Sequence, residues 1–301
     1  MRRLLSLAAL AVVASVSAGA SYSSPLAAAG ARSSGTASWA LAQIGAAQAW
    51  PLVQGKQVPP VGVLDSGVDD AHPDLAGKVT AARDFVDASG DVSDSSWHGT
   101  AVAGVVSGTS TSVCPSCTIV SARVLNSRDE GSDAEIARAL LWAVGNGARV
   151  VNLSMAGADE SPALRAAITT ATRHGVVVVA AAGNAGSTAR SYPAADPNVI
   201  GVAATSSTGR LYQWSNHGRW VTIAAPGEMM TTLRGGGYTT FVGTSAAAPA
   251  VAAAAAECLA VAPNLTPAEV RRIIVRTAVP VRGMSFGRLD AGRAVAACAA
   301  P

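Results

Sequence analysis

The sequence predicts an α/β fold with a mostly parallel central sheet flanked by helices. Two observations carry this. Strand-like and helix-like segments alternate along the chain, as in βαβ units joined by right-handed crossovers. Several strand segments, such as 175–180, are apolar without a break, which suits strands covered on both faces.

In order, the strand segments are Val58–Leu64, Thr118–Leu125, Ala148–Leu153, Val176–Ala181, Val199–Ala204 and Trp220–Ala224. The helical segments are His98–Val106, Asp133–Gly145, Pro162–His174, Thr244–Val261, Thr266–Thr277 and Leu289–Ala297. Ser132 and Asp133 are capping residues for the second helix, and Thr266-Pro267 opens the fifth.

The composition narrows the function. Half of the 301 residues are hydrophobic and only 14% are charged, which excludes a disordered chain. A net charge of +3 excludes nucleic-acid binding driven by charge. Aromatic residues make up 4%, so the core should be built from small side chains.

Residues 1–20 read as a signal peptide: Arg2 and Arg3, an apolar stretch Leu4–Val16, and Ala18-Gly19-Ala20 before a cut at Ser21. The stretch is too short for a stable membrane span, so secretion is expected. Without the two arginines the charge is +1, and binding to membrane surfaces or polyanions is not expected. Residues 21–38 read as a flexible N-terminal segment, and 39–299 as one domain. The apolar run Ala246–Ala262 contains Pro249 and Glu257 and reads as a buried helix, not a stable membrane anchor.

The four cysteines of an exported chain suggest two disulfides. Cys114-Pro-Ser-Cys117 also has the spacing of a redox motif or half a zinc site, but a strand follows it and no further ligands lie nearby. The expected pairs are Cys114–Cys117 and Cys258–Cys298.

Chemistry in such sheets sits at the carboxyl ends of the strands. Asp65 and Asn184 follow strands, while His98 and Ser245 open helices. Each alone has an ordinary reading as a turn or capping residue. Together they meet a chemical requirement: a hydrolytic serine needs a base, the base needs an acid, and the oxyanion needs aimed donors. Gly243 and Ala246–Ala248 leave room for a substrate backbone.

Asp65-Ser-Gly-Val, His98-Gly-Thr-Ala-Val-Ala-Gly and Gly243-Thr-Ser-Ala-Ala-Ala-Pro resemble the three active-site blocks of subtilisin-like serine proteases. Ala180-Ala-Ala-Gly-Asn184 resembles the family's oxyanion block. Asp65, His98, Asn184 and Ser245 stand 33, 86 and 61 residues apart in turn, and the resemblance runs from about Gln43 to Val295. It implies a three-layer subtilisin-like fold and a secreted endopeptidase acting on polypeptides. It implies Asp65 orienting His98, His98 as base and acid, Ser245 as nucleophile, and Asn184 with the Ser245 N–H as the oxyanion hole. Ser154, Met155, Ala156 and Gly157 would line the pocket with Ala182 and Gly183. Gly131 would lie on the strand that pairs with extended substrate.

Three departures stand out. Ala101 and Ala246 replace the family's usual His and Met. Residues 21–38 are too short for the family's folding pro-domain, so a separate chaperone or inhibitor is a candidate partner. Asp74 matches a position that often binds calcium, but only the Gln43 amide accompanies it, so no metal is expected and a disulfide loop takes its place. A secreted esterase would need G-x-S-x-G, which is absent; a glutamate-base relative is disfavoured by His98, and a catalytically dead binder by the complete set of four residues. Both pocket walls lack charge, so medium apolar or aromatic residues before the cut are expected. Ala156 trims the pocket, and Arg190 would favour acidic residues if it pointed inward.

Overall fold

The computed structural model describes residues 15–17, 36–87 and 89–300. In chain order the strands are β1 (Ser15–Ser17), β2 (Val61–Asp65), β3 (Val79–Asp84), β4 (Ile119–Arg123), β5 (Glu130–Ser132), β6 (Val150–Leu153), β7 (Val177–Ala181), β8 (Val199–Thr205), β9 (Ile223–Pro226), β10 (Glu228–Leu233), β11 (Gly237–Val242), β12 (Val279–Pro280) and β13 (Gly287–Arg288). The helices are α1 (Thr36–Gln43), α2 (Ala46–Val53), α3 (His98–Ser107), α4 (Asp133–Gly145), α5 (Pro162–Arg173), α6 (Thr244–Val261), α7 (Pro267–Thr277) and α8 (Ala291–Ala299). The expected leader and flexible segment lie largely outside the described residues. Helix α1 includes residues 36–38.

Nine strands form the central sheet in the order β12-β13-β9-β8-β7-β6-β2-β4-β3, parallel except for the β12–β13 pair. Period-two alternation divides the molecule into three layers. Val177, Val179 and Ala181 join the core of α3, α6, α7 and α8. Val178 and Ala180 join that of α4 and α5 on the other face. Strands β2, β4, β6, β7, β8 and β9 are buried throughout, as their apolar runs require.

Helix α6 is sunk in this core: Thr244–Ala260 are all buried. Alanines at most of these positions let the sheet, α3 and α8 approach it closely. Seryl and threonyl caps fix the ends of α4, α5 and α7, where Ser132, Ser161 and Thr266 each accept a first-turn N–H.

Several elements escape the sequence pattern. The edge strand β3 alternates half-buried and exposed residues and ends in Arg83-Asp84. The β10–β11 hairpin turns at Arg234–Gly236 and is threonine-rich. Helix α2 carries Pro51 in its interior. The strand expected from Trp220 starts only at Ile223, because a turn at Gly218 accepts the Val221 N–H and the Trp220 indole donates to Thr188.

Cys114 and Cys117 are bonded, with Cα atoms 5.4 Å apart. The expected Cys258–Cys298 bridge is corrected: both are buried free thiols on the packed helices α6 and α8. They interact as thiols, and the contact with Cys298 together with burial keeps Cys258 protonated.

Beside Cys258, Glu257 is fully buried and neither carboxyl oxygen has a partner among the described residues. Burial raises its pKa from the ordinary 4.5 to about 9. A raised acid pKa makes a contribution that is whole below the unfolded value and lost as pH climbs to the folded one. Wild-type unfolding free energy should therefore fall by several kcal/mol between pH 4.5 and about 9. Glu257→Gln should flatten that decline; equal slopes for both proteins in urea unfolding would refute the neutral buried acid.

Candidate active site

Parallel strands end together, so Asp65, Ser154 and the loop after Ala181 face one edge of the sheet. Asp65 closes β2. Its Oδ1 accepts the Ser66 N–H at 2.8 Å and lies 2.8 Å from His98 Nδ1. His98 opens α3, and both side chains are out of solvent. Gly99 makes this possible: a Cβ there would collide with the Gly67 carbonyl. Asp94 fixes the same junction. Its Oδ2 caps α3 through the Thr100 N–H, and its Oδ1 accepts the Ser66 hydroxyl and the Ser96 N–H. The Phe241 ring meets His98 edge-on at 5.2 Å. Burial opposes the imidazolium, but the charge and hydrogen bond of Asp65, with the charges of Asp129 and Asp94, outweigh it and raise the His98 pKa.

Ser245 stands in the first turn of α6, where backbone N–H groups lack helical acceptors and the dipole is positive. Its hydroxyl donates to the Ser154 carbonyl at 3.1 Å. In return the Ser154 hydroxyl donates to the Ser245 carbonyl at 3.0 Å. That carbonyl is free because its helical partner would be residue 249, a proline without an N–H. His98 Nε2 has no partner among the described residues. The Ser245 hydroxyl and His98 Nε2 are therefore not bonded to each other in this arrangement.

Asn184 follows β7. Its Oδ1 accepts both the Thr244 N–H and the Thr244 hydroxyl, each at 2.9 Å. The amide is thereby oriented, and Nδ2 faces Gly243, beside the start of α6. Gly243 has φ 142°, and a Cβ there would crowd that nitrogen.

Of the expected pocket residues, Gly183 donates its N–H to the Thr244 hydroxyl at 3.0 Å, and a Cβ on Gly183 would lie 3.4 Å from the Ala156 Cβ. Gly157 exchanges backbone hydrogen bonds with Tyr192, closing one wall. Asn216 holds the other by donating to the Ala182 carbonyl. Met155 and Ala182, also expected to line the pocket, are placed differently from these. Both are fully buried, and Met155 packs into the core of α4 and α5. Arg190 is exposed and the wall regions stay uncharged. Gly131 lies in β5, whose edge pairs antiparallel with β1, Val16 opposite Gly131.

Asp74 does not fit a metal. Its Oδ2 takes the Ser110 N–H and hydroxyl, and its carbonyl takes the Thr109 N–H. Among the described residues no second carboxylate accompanies it; Gln43 donates its amide N–H groups to the carbonyls of Ser206 and Ser207, and its buried Oε1 has no hydrogen-bond partner there. Hard cations need six to eight oxygens. Sequence reasoning missed Thr244, Asp94, Asn216 and Phe241 as supports of the site; only the Thr244-Ser245 pair offered a signal, as polar residues opening an apolar helix.

The chain matches the subtilase family profile over residues 56–294. It is 36% identical over 264 residues to thermitase from Thermoactinomyces vulgaris, covering 84% of this chain and 94% of that protein. It is 37% identical to a thermophilic serine proteinase from Bacillus sp. strain AK1, covering 82% of this chain and 64% of the relative. It is 38% identical to subtilisin E from Bacillus subtilis, covering 75% and 61% respectively. The chain spans less than two thirds of the length of the latter two. Matched over most of its length by the family profile and by relatives above 30% identity, the chain belongs to the subtilase family of subtilisin-like serine proteases.

Proposed function

We propose that the protein is a secreted serine endopeptidase that cleaves polypeptides through an acyl-enzyme on Ser245. The observation that carries this reading is the buried Asp65–His98 pair at 2.8 Å, with His98 Nε2 left without a partner among the described residues. On substrate binding the Ser245 hydroxyl leaves the Ser154 carbonyl for Nε2. Its oxygen attacks the scissile carbonyl carbon and its proton passes to His98. The oxyanion takes hydrogen bonds from Asn184 Nδ2 and the Ser245 N–H. His98 then protonates the departing amine, leaving an ester on Ser245. Water, losing its proton to His98, attacks that ester, releases the acid product and restores the serine.

The uncharged pocket walls and the exposed Arg190 support a preference for medium apolar or aromatic residues before the cut. Ala156 adds a methyl that biases against the largest rings. An apolar pocket discriminates by only about 1–3 kcal/mol per methylene, so cleavage is broad. The leader pattern in residues 1–20 supports export, and 39–299 is read as the peptidase domain.

Ser245→Ala should abolish both peptide hydrolysis and labelling by a fluorophosphonate probe; a labelled, active variant would sink the assignment. Thr244→Val removes the hydroxyl that helps orient Asn184. At about 1 kcal/mol for such a bond, kcat should fall roughly fivefold to tenfold with KM little changed, and a pure KM effect would contradict the orienting role. Because His98 must be neutral to accept a proton and its pKa is raised, the acid limb of kcat/KM should have its midpoint above pH 6.5. A midpoint below that value in a pH–rate profile would overturn the electrostatic account.

A further inference from the structure

One acidic residue beside the site is used by none of these steps. Asp129 immediately precedes β5 and is the only non-glycine among the described residues with positive φ, 58°. Its Oδ1 accepts the Ser96 hydroxyl at 2.7 Å, and that hydroxyl oxygen also accepts the His98 N–H at 3.1 Å. Asp129 is therefore tied between the substrate-pairing edge and the base.

The neighbouring acids are compensated. Asp65 faces His98 and the Ser66 N–H. Asp94 accepts four donors, and Glu130 pairs with Arg128 and Asn126. Asp129 has one hydroxyl donor. Among the described residues no lysine or arginine pairs with it, and its Oδ2 accepts no hydrogen bond. Burial pushes its pKa up, while His98 and the Ser96 bond pull it down. A half-buried carboxylate with a free oxygen, in a site without a cation, attracts one.

The direction of a bound peptide says which part of it arrives there. β5 accepts an extended antiparallel segment, as its pairing with β1 demonstrates. In an extended strand, side chains alternate between two sides. If the residue before the scissile bond fills the apolar pocket, the one before it points to the opposite side, toward His98, Ser96 and Asp129. We propose that Asp129 is a specificity-determining residue that selects lysine or arginine at the second position before the cut. This rests on the endopeptidase reading and adds to it a substrate class: polypeptides with a basic residue followed by an apolar one.

A turn needing only positive φ would be served as well by Asn or Gly, which makes both clean variants. Three peptides identical except for Lys, Ala or Glu at the second position before the cut are compared at low and high salt, using wild type, Asp129→Asn and Asp129→Gly. In wild type, kcat/KM should favour Lys over Glu by about tenfold or more, and the ratio should shrink at high ionic strength. In both variants it should approach one. A wild-type ratio near one, or a ratio that survives in both variants, overturns the selection while leaving the endopeptidase standing. If wild type cleaves none of the peptides and no fluorophosphonate labels Ser245, the endopeptidase reading falls and this inference with it.

Discussion

The constraint on which the rest depends is that α6 must lie inside the molecule, between the sheet and the outer helices, with its first turn at the carboxyl ends of the strands. A helix buried on every side at Thr244–Ala260 has no polar face. Its side chains must be small enough for the sheet, α3 and α8 to come close. Alanine meets that requirement and gives little apolar area per residue, so the packing energy comes from many close contacts spread along the helix. The position of Ser245 is consequently set by the whole core. Thr244 one residue earlier orients Asn184, and Pro249 four residues later frees the Ser245 carbonyl for Ser154.

The second organising feature is an excess of carboxylate around one imidazole. Asp65, Asp94 and Asp129 all act on His98, and their sum overrides the burial that would otherwise disfavour its cation. Asp94 is tolerated inside because four donors share its charge, two of them backbone N–H groups near the start of α3. In the proposed reaction the imidazolium forms transiently, and this field lowers the cost of forming it where no water reaches. The same field leaves the cleft mouth negative, which is why a basic substrate residue is favoured beside it.

The sheet and the main helices were legible because their signals are local and redundant. Continuous apolar runs marked β4, β6, β7 and β8 within a few residues, and the caps at Ser132 and Thr266 set helix starts closely. The four residues proposed for the chemistry are marked in the sequence by the glycines and small residues flanking them, which record close backbone approach. What failed were questions of direction and pairing. Met155 follows β6 in a wall segment, yet its side chain is buried in the core of α4 and α5, a direction that no spacing records. Cys258 and Cys298 lie 40 residues apart on two helices whose packing brings the thiols together without bonding them. Thr244 and Asp94 act through geometry that no spacing records, and β3 is an edge strand whose pattern is too polar to stand out.

The reciprocal pair between Ser154 and Ser245 bears on how a resting site becomes a reacting one. One leg runs from the Ser245 hydroxyl to the Ser154 carbonyl, the other from the Ser154 hydroxyl to the Ser245 carbonyl. Asn152 reinforces the second leg by donating to the Ser154 hydroxyl oxygen at 2.9 Å. Only the first leg involves the oxygen proposed as the nucleophile. Breaking it requires a side-chain rotation and no backbone movement, because the second leg still joins the end of β6 to the start of α6. In the proposed reaction the first-turn N–H of Ser245 and the amide of Asn184 therefore keep their aim while the hydroxyl changes partner. A donor array that need not reorganise as charge develops is what makes oxyanion stabilisation effective. Here that rigidity follows from Pro249, which withholds the N–H that would otherwise have claimed the Ser245 carbonyl.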